Sequence, residues 1–220
     1  MRLRDRLRVG QRRQKQAAWA MEIGLVGILS VGLYQGSTTV VVNAGVGLFV
    51  TQLPPVLERD YDIPMDPALT LWITSAVFLH AFGVLGLPGS ETNLYGSVPW
   101  WDHLTHALSA SVVAGVGYAT ARAFDAHTED IVLPPRFTFV FILLFVLAFG
   151  VFWEVIEFGL GEAARAAGNR ALLTQYGLDD TMLDLVFDTI GAVIVAVWGT
   201  VHLTDVAGYI EQQLDARKPG

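Results

Sequence analysis

The sequence predicts an all-α, polytopic integral membrane bundle of about six transmembrane helices. Three observations predict it. Of 220 residues, 53% are hydrophobic and 16% charged, with a mean hydropathy of +0.47, which is too apolar for an ordinary soluble domain. The apolar residues gather into runs of about 20, long enough to cross a hydrocarbon core of about 30 Å as helices. The runs do not alternate as the roughly ten-residue strands of a membrane barrel must. A helix also satisfies its own backbone polar groups in lipid.

Residues 1–16 form a basic tail that holds seven of the 14 Lys+Arg: Arg2, Arg4, Arg6, Arg8, Arg12, Arg13 and Lys15. No folded basic domain follows it, so nucleic acid is not an expected partner. The small-residue stretch Ala17-Ala18-Trp19-Ala20 precedes the first apolar run, whereas a cleaved signal would place it after. The tail reads as a cytoplasmic anchor. The transmembrane domain is expected over residues 17–203, and residues 204–220 read as a second cytoplasmic tail.

The first span is expected at 17–35, ending in the turn Gln35-Gly36-Ser37-Thr38. The second, 37–54, stops at Pro54-Pro55, because proline lacks an amide donor and fixes φ. A polar loop with Glu58, Arg59, Asp60, Asp62 and Asp66 leads to a third span, 67–87, opened by Pro67 in its first turn. The Gly/Pro-rich connection Pro88 to Pro99 carries one charge, Glu91. The fourth span, 100–122, starts at Trp100-Trp101-Asp102-His103-Leu104-Thr105-His106. A loop with Asp125, His127, Glu129 and Asp130, read as solvated surface, precedes Pro134-Pro135. The fifth span covers 137–160, and the connection Gly161 to Leu178 carries Arg165 and Arg170. The sixth covers 180–203, with Asp179 or Asp180 as its cap.

With the N-terminus inside, every Lys and Arg except Arg165 and Arg170 falls in an inner connection or tail. This asymmetry puts both termini in the cytoplasm of a multi-pass plasma-membrane protein. Cysteine is absent, which excludes disulfides and thiolate metal sites. Gly32, Gly36, Gly115 and Gly117 read as points of close helix approach.

The topology collects polar residues at one depth. Asp102, His103 and His106 open the fourth span, Glu154 and Glu157 close the fifth, and Asp184 and Asp188 lie early in the sixth. His80 and Asn43 belong to the same outer end. Each pair at i,i+3 or i,i+4 shares a helix face. Ionisable groups that face lipid cost several kcal/mol each, so these faces should point inward. No Lys or Arg lies inside the neighbouring spans to balance the acids, so a divalent metal, bound protons or a folded-in arginine must do so.

Imidazoles with carboxylates suit zinc, manganese or iron. On this reading His103, His106, Glu154, Asp184 and Asp188 are metal ligands, while Glu157 and Asp102 are catalytic, with Glu157 as general base. The protein would then be a metal-dependent hydrolase or transferase acting on a lipid headgroup near the outer leaflet. Two alternatives use the same residues: a proton- or cation-coupled transporter or channel, and a structural membrane subunit joined by an inter-helix polar network. Taken singly, Asp102 is a good helix cap and His80 an ordinary hydrogen-bonded core histidine.

The chain also resembles a known family at these residues. Asp102-His103-Leu104-Thr105-His106 opens a span, Trp153-Glu154-Val155-Ile156-Glu157 ends the next, and Gly177 precedes Asp180, Asp184, Asp188 and Ile190-Gly191-Ala192. In this order the motifs resemble the YjdF-like family of small polytopic inner-membrane proteins. Two departures stand here: Leu178 follows Gly177 where the family has Asp, and Thr189 follows Asp188 where it has Met. The Asp-x-x-x-His element is also similar to one in VanZ-like membrane proteins. The resemblance implies a multispan fold and assigns no reaction.

Overall fold

The computed structural model describes residues 10–86, 92–127, 133–168, 171, 173, 177–198 and 208. Among these residues the architecture is helical throughout, with no strand and a single isolated β-bridge, Gly86 to Asn93. The helices are α1 (Gln11–Gln35), α2 (Thr38–Thr51), α3 (Leu53–Tyr61), α4 (Pro67–Val84), α5 (Leu94–Ser97), α6 (Trp101–His127), α7 (Pro135–Ala166) and α8 (Leu178–Trp198). Four stretches are long and apolar enough to cross a membrane: Gln11–Gln35, Thr38–Tyr61, Pro67–Val84 and Pro135–Ala166. The protein is an all-α membrane protein. The other two expected spans correspond to α6 and α8, which are 27 and 21 residues long and carry charged side chains of the candidate site.

Two small cores organise the bundle. Leu25, Ile28, Val40, Ala44 and Ala81 join α1, α2 and α4. Leu69, Ala110, Ala114, Tyr118, Ile142, Val146, Ala192 and Val195 join α4 to α6, α7 and α8. Many of these residues are small, as is usual where membrane helices approach closely without a hydrophobic drive between them. The large side chains face outward instead: Phe141, Leu144, Phe149, Phe152, Val155 and Phe158 of α7 are all exposed.

Local chemistry explains the helix ends. Gly36 leaves α1 in the left-handed region at φ 65°, and the Ser37 amide donates to the Gly32 carbonyl at 2.9 Å. The Ser37 hydroxyl then accepts from the Val40 amide, so the expected turn is both a stop and a start. Asp66 caps α4, accepting from the Leu69 amide at 2.7 Å just before Pro67.

Several expected boundaries need correction. A loop is expected after Pro54-Pro55, but α3 runs to Tyr61 because both prolines sit in its first turn, where no amide donor is needed. The connection after the fifth span begins later than Gly161: α7 continues to Ala166 through Ala163-Ala164, with Arg165 paired to Glu162 one turn back. Helix α6 likewise passes residue 122, with Arg122 on Asp125 at 2.5 Å and the Asp125 carboxylate receiving the Leu133 amide. Helix α8 starts at Leu178, so Asp179 and Asp180 lie in its first turn, not at its cap. Arg2 to Arg8, Glu91, Glu129, Asp130, Arg170, the end of the expected sixth span from 199 and all of the expected tail 204–220 except 208 lie outside the described residues.

Candidate metal centre

The site lies where α6 crosses α8. Gly191 makes the crossing close: a Cβ there would overlap the Ala107 carbonyl oxygen and sit 3.1 Å from the Ser111 backbone nitrogen. Near this contact His103 and His106 of α6 face Asp184 and Asp188 of α8. Helix α7 closes the third side, where Gly150 leaves room for the Asp188 carboxylate; a Cβ at Gly150 would lie 2.5 Å from Asp188 Oδ2.

His106 is the hub. Its Nδ1 lies 3.2 Å from Asp188 Oδ1, within hydrogen-bond reach. In the neutral ring, an Nδ1–H that donates to that carboxylate leaves the lone pair on Nε2. Nε2 points at Asp102 Oδ1, 3.7 Å away, and at Asp184 Oδ2, 3.8 Å away. One ligand atom from each of Asp102, His106 and Asp184 lies within 4.8 Å of the others. Two ligands about 2.1 Å from one ion subtend at most about 4.2 Å, so a small closure would bring all three onto a common ion.

The remaining expected residues surround this group. His103 stacks on Phe187 with ring centroids 4.4 Å apart and planes 1° apart, and its Nδ1 faces Asp184 Oδ1 at 3.9 Å. Glu154 is buried and its Oε2 accepts from the Thr181 hydroxyl at 2.7 Å, tying α7 to α8. Glu157, also buried, lies one turn further along α7, within electrostatic reach of Glu154, His106, Asp102 and Asp184. The structure thus brings all seven candidate residues to one end of the bundle. Asp102 and Asp184 face His106 Nε2, Asp188 faces its Nδ1, and Glu154 is bonded to Thr181 across α7 and α8.

A second polar chain runs beside the site. Asn43 donates to the Thr39 carbonyl at 2.8 Å, which turns its Oδ1 toward His80 Nε2 at 3.0 Å. His80 Nδ1 in turn meets the Tyr95 hydroxyl at 2.8 Å. Tyr95 lies 3.4 Å from Thr105, whose hydroxyl donates to the Asp102 carbonyl at 2.8 Å. The sequence groups His80 and Asn43 correctly by depth but does not single out Tyr95, Thr105, Thr181, Gly150 or Gly191. Glycine directly opposite a polar face is the available signal for the last two.

Residues 17–205 match a family described as a predicted membrane protein family, DUF2238. The chain belongs to the DUF2238 family. The YjdF-like resemblance is consistent with this membership, whereas the VanZ-like one rests on its single motif. An uncharacterized protein of Thermotoga maritima is 29% identical over 155 residues, 69% of this chain and 73% of that protein. No solved structure matches. DUF2238 membership agrees with the multispan fold and leaves the chemistry to be argued from the site.

Proposed function

We propose that this DUF2238 protein binds a divalent metal ion (zinc, manganese or iron) at Asp102, His106 and Asp184, and uses it as a hydrolase or transferase on a lipid headgroup. The observation that carries the reading is the orientation of His106: Asp188 holds one ring nitrogen and leaves the other aimed at two carboxylates. A carboxylate behind a ligating imidazole is the usual way such a ring is aligned. The lipid assignment rests on the surroundings, since Trp100, Leu104, Leu178, Met182 and Leu183 remain exposed beside the polar residues of α6 and α8. Glu157 is the candidate base. In hydrolysis the oxygen of water bonds to the headgroup ester as the ester's bond to its leaving oxygen breaks. Glu157 takes the water's proton and returns one to the leaving oxygen. The positive-inside pattern supports cytoplasmic termini and a site toward the outer leaflet, in a membrane we take to be the plasma membrane.

Metal analysis of the detergent-purified protein tests this reading. Wild type should retain close to one or more equivalents of metal through purification or after reloading, and His106→Ala should lose at least the equivalent held by the trio. Negligible metal in wild type, or equal content in both proteins, would overturn it. A second reading, an inter-helix network in a structural subunit, is favoured by the Thr181–Glu154 hydrogen bond. It expects His106→Ala to lower stability with no metal bound to either protein.

A further inference from the structure

Asp184 is the most deeply buried acid of the site, at 1% exposure, and its two oxygens face different groups. Oδ2 faces His106 Nε2, whereas Oδ1 faces His103 Nδ1 across 3.9 Å. Among the described residues, neither Asp184 Oδ1 nor His103 Nδ1 has a hydrogen-bond partner, and both atoms are shielded from solvent. The gap exceeds a hydrogen bond of about 3.2 Å at most and falls within the span of two ligands around one ion. The His103 ring is stacked coplanar on Phe187, which holds its plane beside Asp184. Asp180, one turn before Asp184, lies within electrostatic reach of both Asp184 and Asp102.

We propose that Asp184 bridges two divalent cations, the first among Asp102, His106 and Asp184 Oδ2, the second between Asp184 Oδ1 and His103 Nδ1. Asp180 and water complete the second position. The inference rests on the single-cation reading above and extends it. Charge supports it: the carboxylates of Asp102, Glu154, Glu157, Asp180, Asp184 and Asp188 gather here. Among the described residues, the ion pairs of Asp102, Asp184 and Asp188 go to histidine alone. Were all six ionised, one divalent cation would offset only two of the six charges. A carboxylate shared by two ions about 3.5–4 Å apart is a common arrangement in paired-metal sites.

Manganese titration of the full-length, detergent-purified protein, followed by electron paramagnetic resonance, tests the proposal. Wild type should bind two equivalents with a spin-coupled signal. His103→Phe, which keeps an aromatic ring on Phe187 but removes Nδ1, should bind one equivalent with an uncoupled signal. His103→Gln provides the same comparison should the Phe variant not fold. One equivalent in wild type, unchanged by either substitution, overturns the second cation and leaves the first reading standing. No bound manganese, zinc or iron in wild type overturns both. Two equivalents retained in both His103 variants overturns the placement at His103.

Discussion

Gly191→Ala tests whether the α6–α8 crossing positions the site. The added Cβ would overlap the Ala107 carbonyl oxygen and lie 3.1 Å from both the Ala107 carbonyl carbon and the Ser111 nitrogen. All three are backbone atoms, so no side-chain rotation relieves the contact. The helices must separate by about 1 Å to restore ordinary van der Waals distances. Overpacking of this kind costs about 1–3 kcal/mol. The same displacement takes His106 Nδ1 from 3.2 Å to beyond hydrogen-bond reach of Asp188. Thermal melting in detergent and metal content should therefore fall together. Gly45→Ala is the control: among the described residues nothing lies within 4 Å of where its Cβ would sit. Alanine is also the better helix former by about 1 kcal/mol, so the change should be neutral or stabilising. A Gly191→Ala protein as stable as wild type, with undiminished metal, would refute the reasoning.

Two further outcomes follow from specific contacts. Asp188→Asn weakens the hydrogen bond that fixes the His106 ring, so zinc affinity in a chelator-competition titration should fall by about 10-fold or more; an unchanged affinity would remove Asp188 from the site. Asp66→Ala deletes the α4 cap and should lower stability by about 1 kcal/mol, read by thermal melting, while metal content stays the same. A change in metal content there would mean that α4 helps shape the site.

The fold is legible in the sequence because length and polarity decide it in lipid. Apolar runs, the Gly36-Ser37 turn and Pro67 mark helices whose backbone has no alternative partner. Boundaries beyond the apolar runs are not legible. At α3 the helix runs on from its two first-turn prolines into polar residues, and at the end of α7 it continues through alanines with an i,i+3 pair, Arg165 to Glu162, both beyond the apolar runs. For the site, spacing shows which side chains share a face but not how their roles divide. Asp102, Asp184 and Asp188 are equivalent by residue type, and nothing in their spacing ranks them. Only the rotation of α8 against α6 assigns Asp188 to one nitrogen of His106 and the other two acids to the opposite nitrogen. Tyr95 is hidden for a different reason: it comes from a Gly/Pro-rich connection, and it reaches His80 with its ring lying against Gly83.

The choice of polar residue also discriminates between the readings. Elsewhere this bundle joins its helices with neutral groups, as where Trp72 donates to Ser111 at 2.9 Å and where Asn43 meets His80. Such links satisfy buried donors and acceptors at little electrostatic cost. Ionisable groups within a membrane helix cost about 2.5–3.5 kcal/mol each on insertion scales, so a network built only to join helices has no use for a concentration of acids. The Thr181–Glu154 bond could be made by glutamine in place of glutamate. Asp184 separates the two accounts most clearly. It is almost completely buried, one of its oxygens has no hydrogen bond among the described residues, and that oxygen points at an imidazole nitrogen that also lacks one. An inter-helix network would leave this pair unsatisfied at a cost of about 1–3 kcal/mol per group. A cation between them would satisfy both atoms and offset the mutual repulsion of the gathered acids.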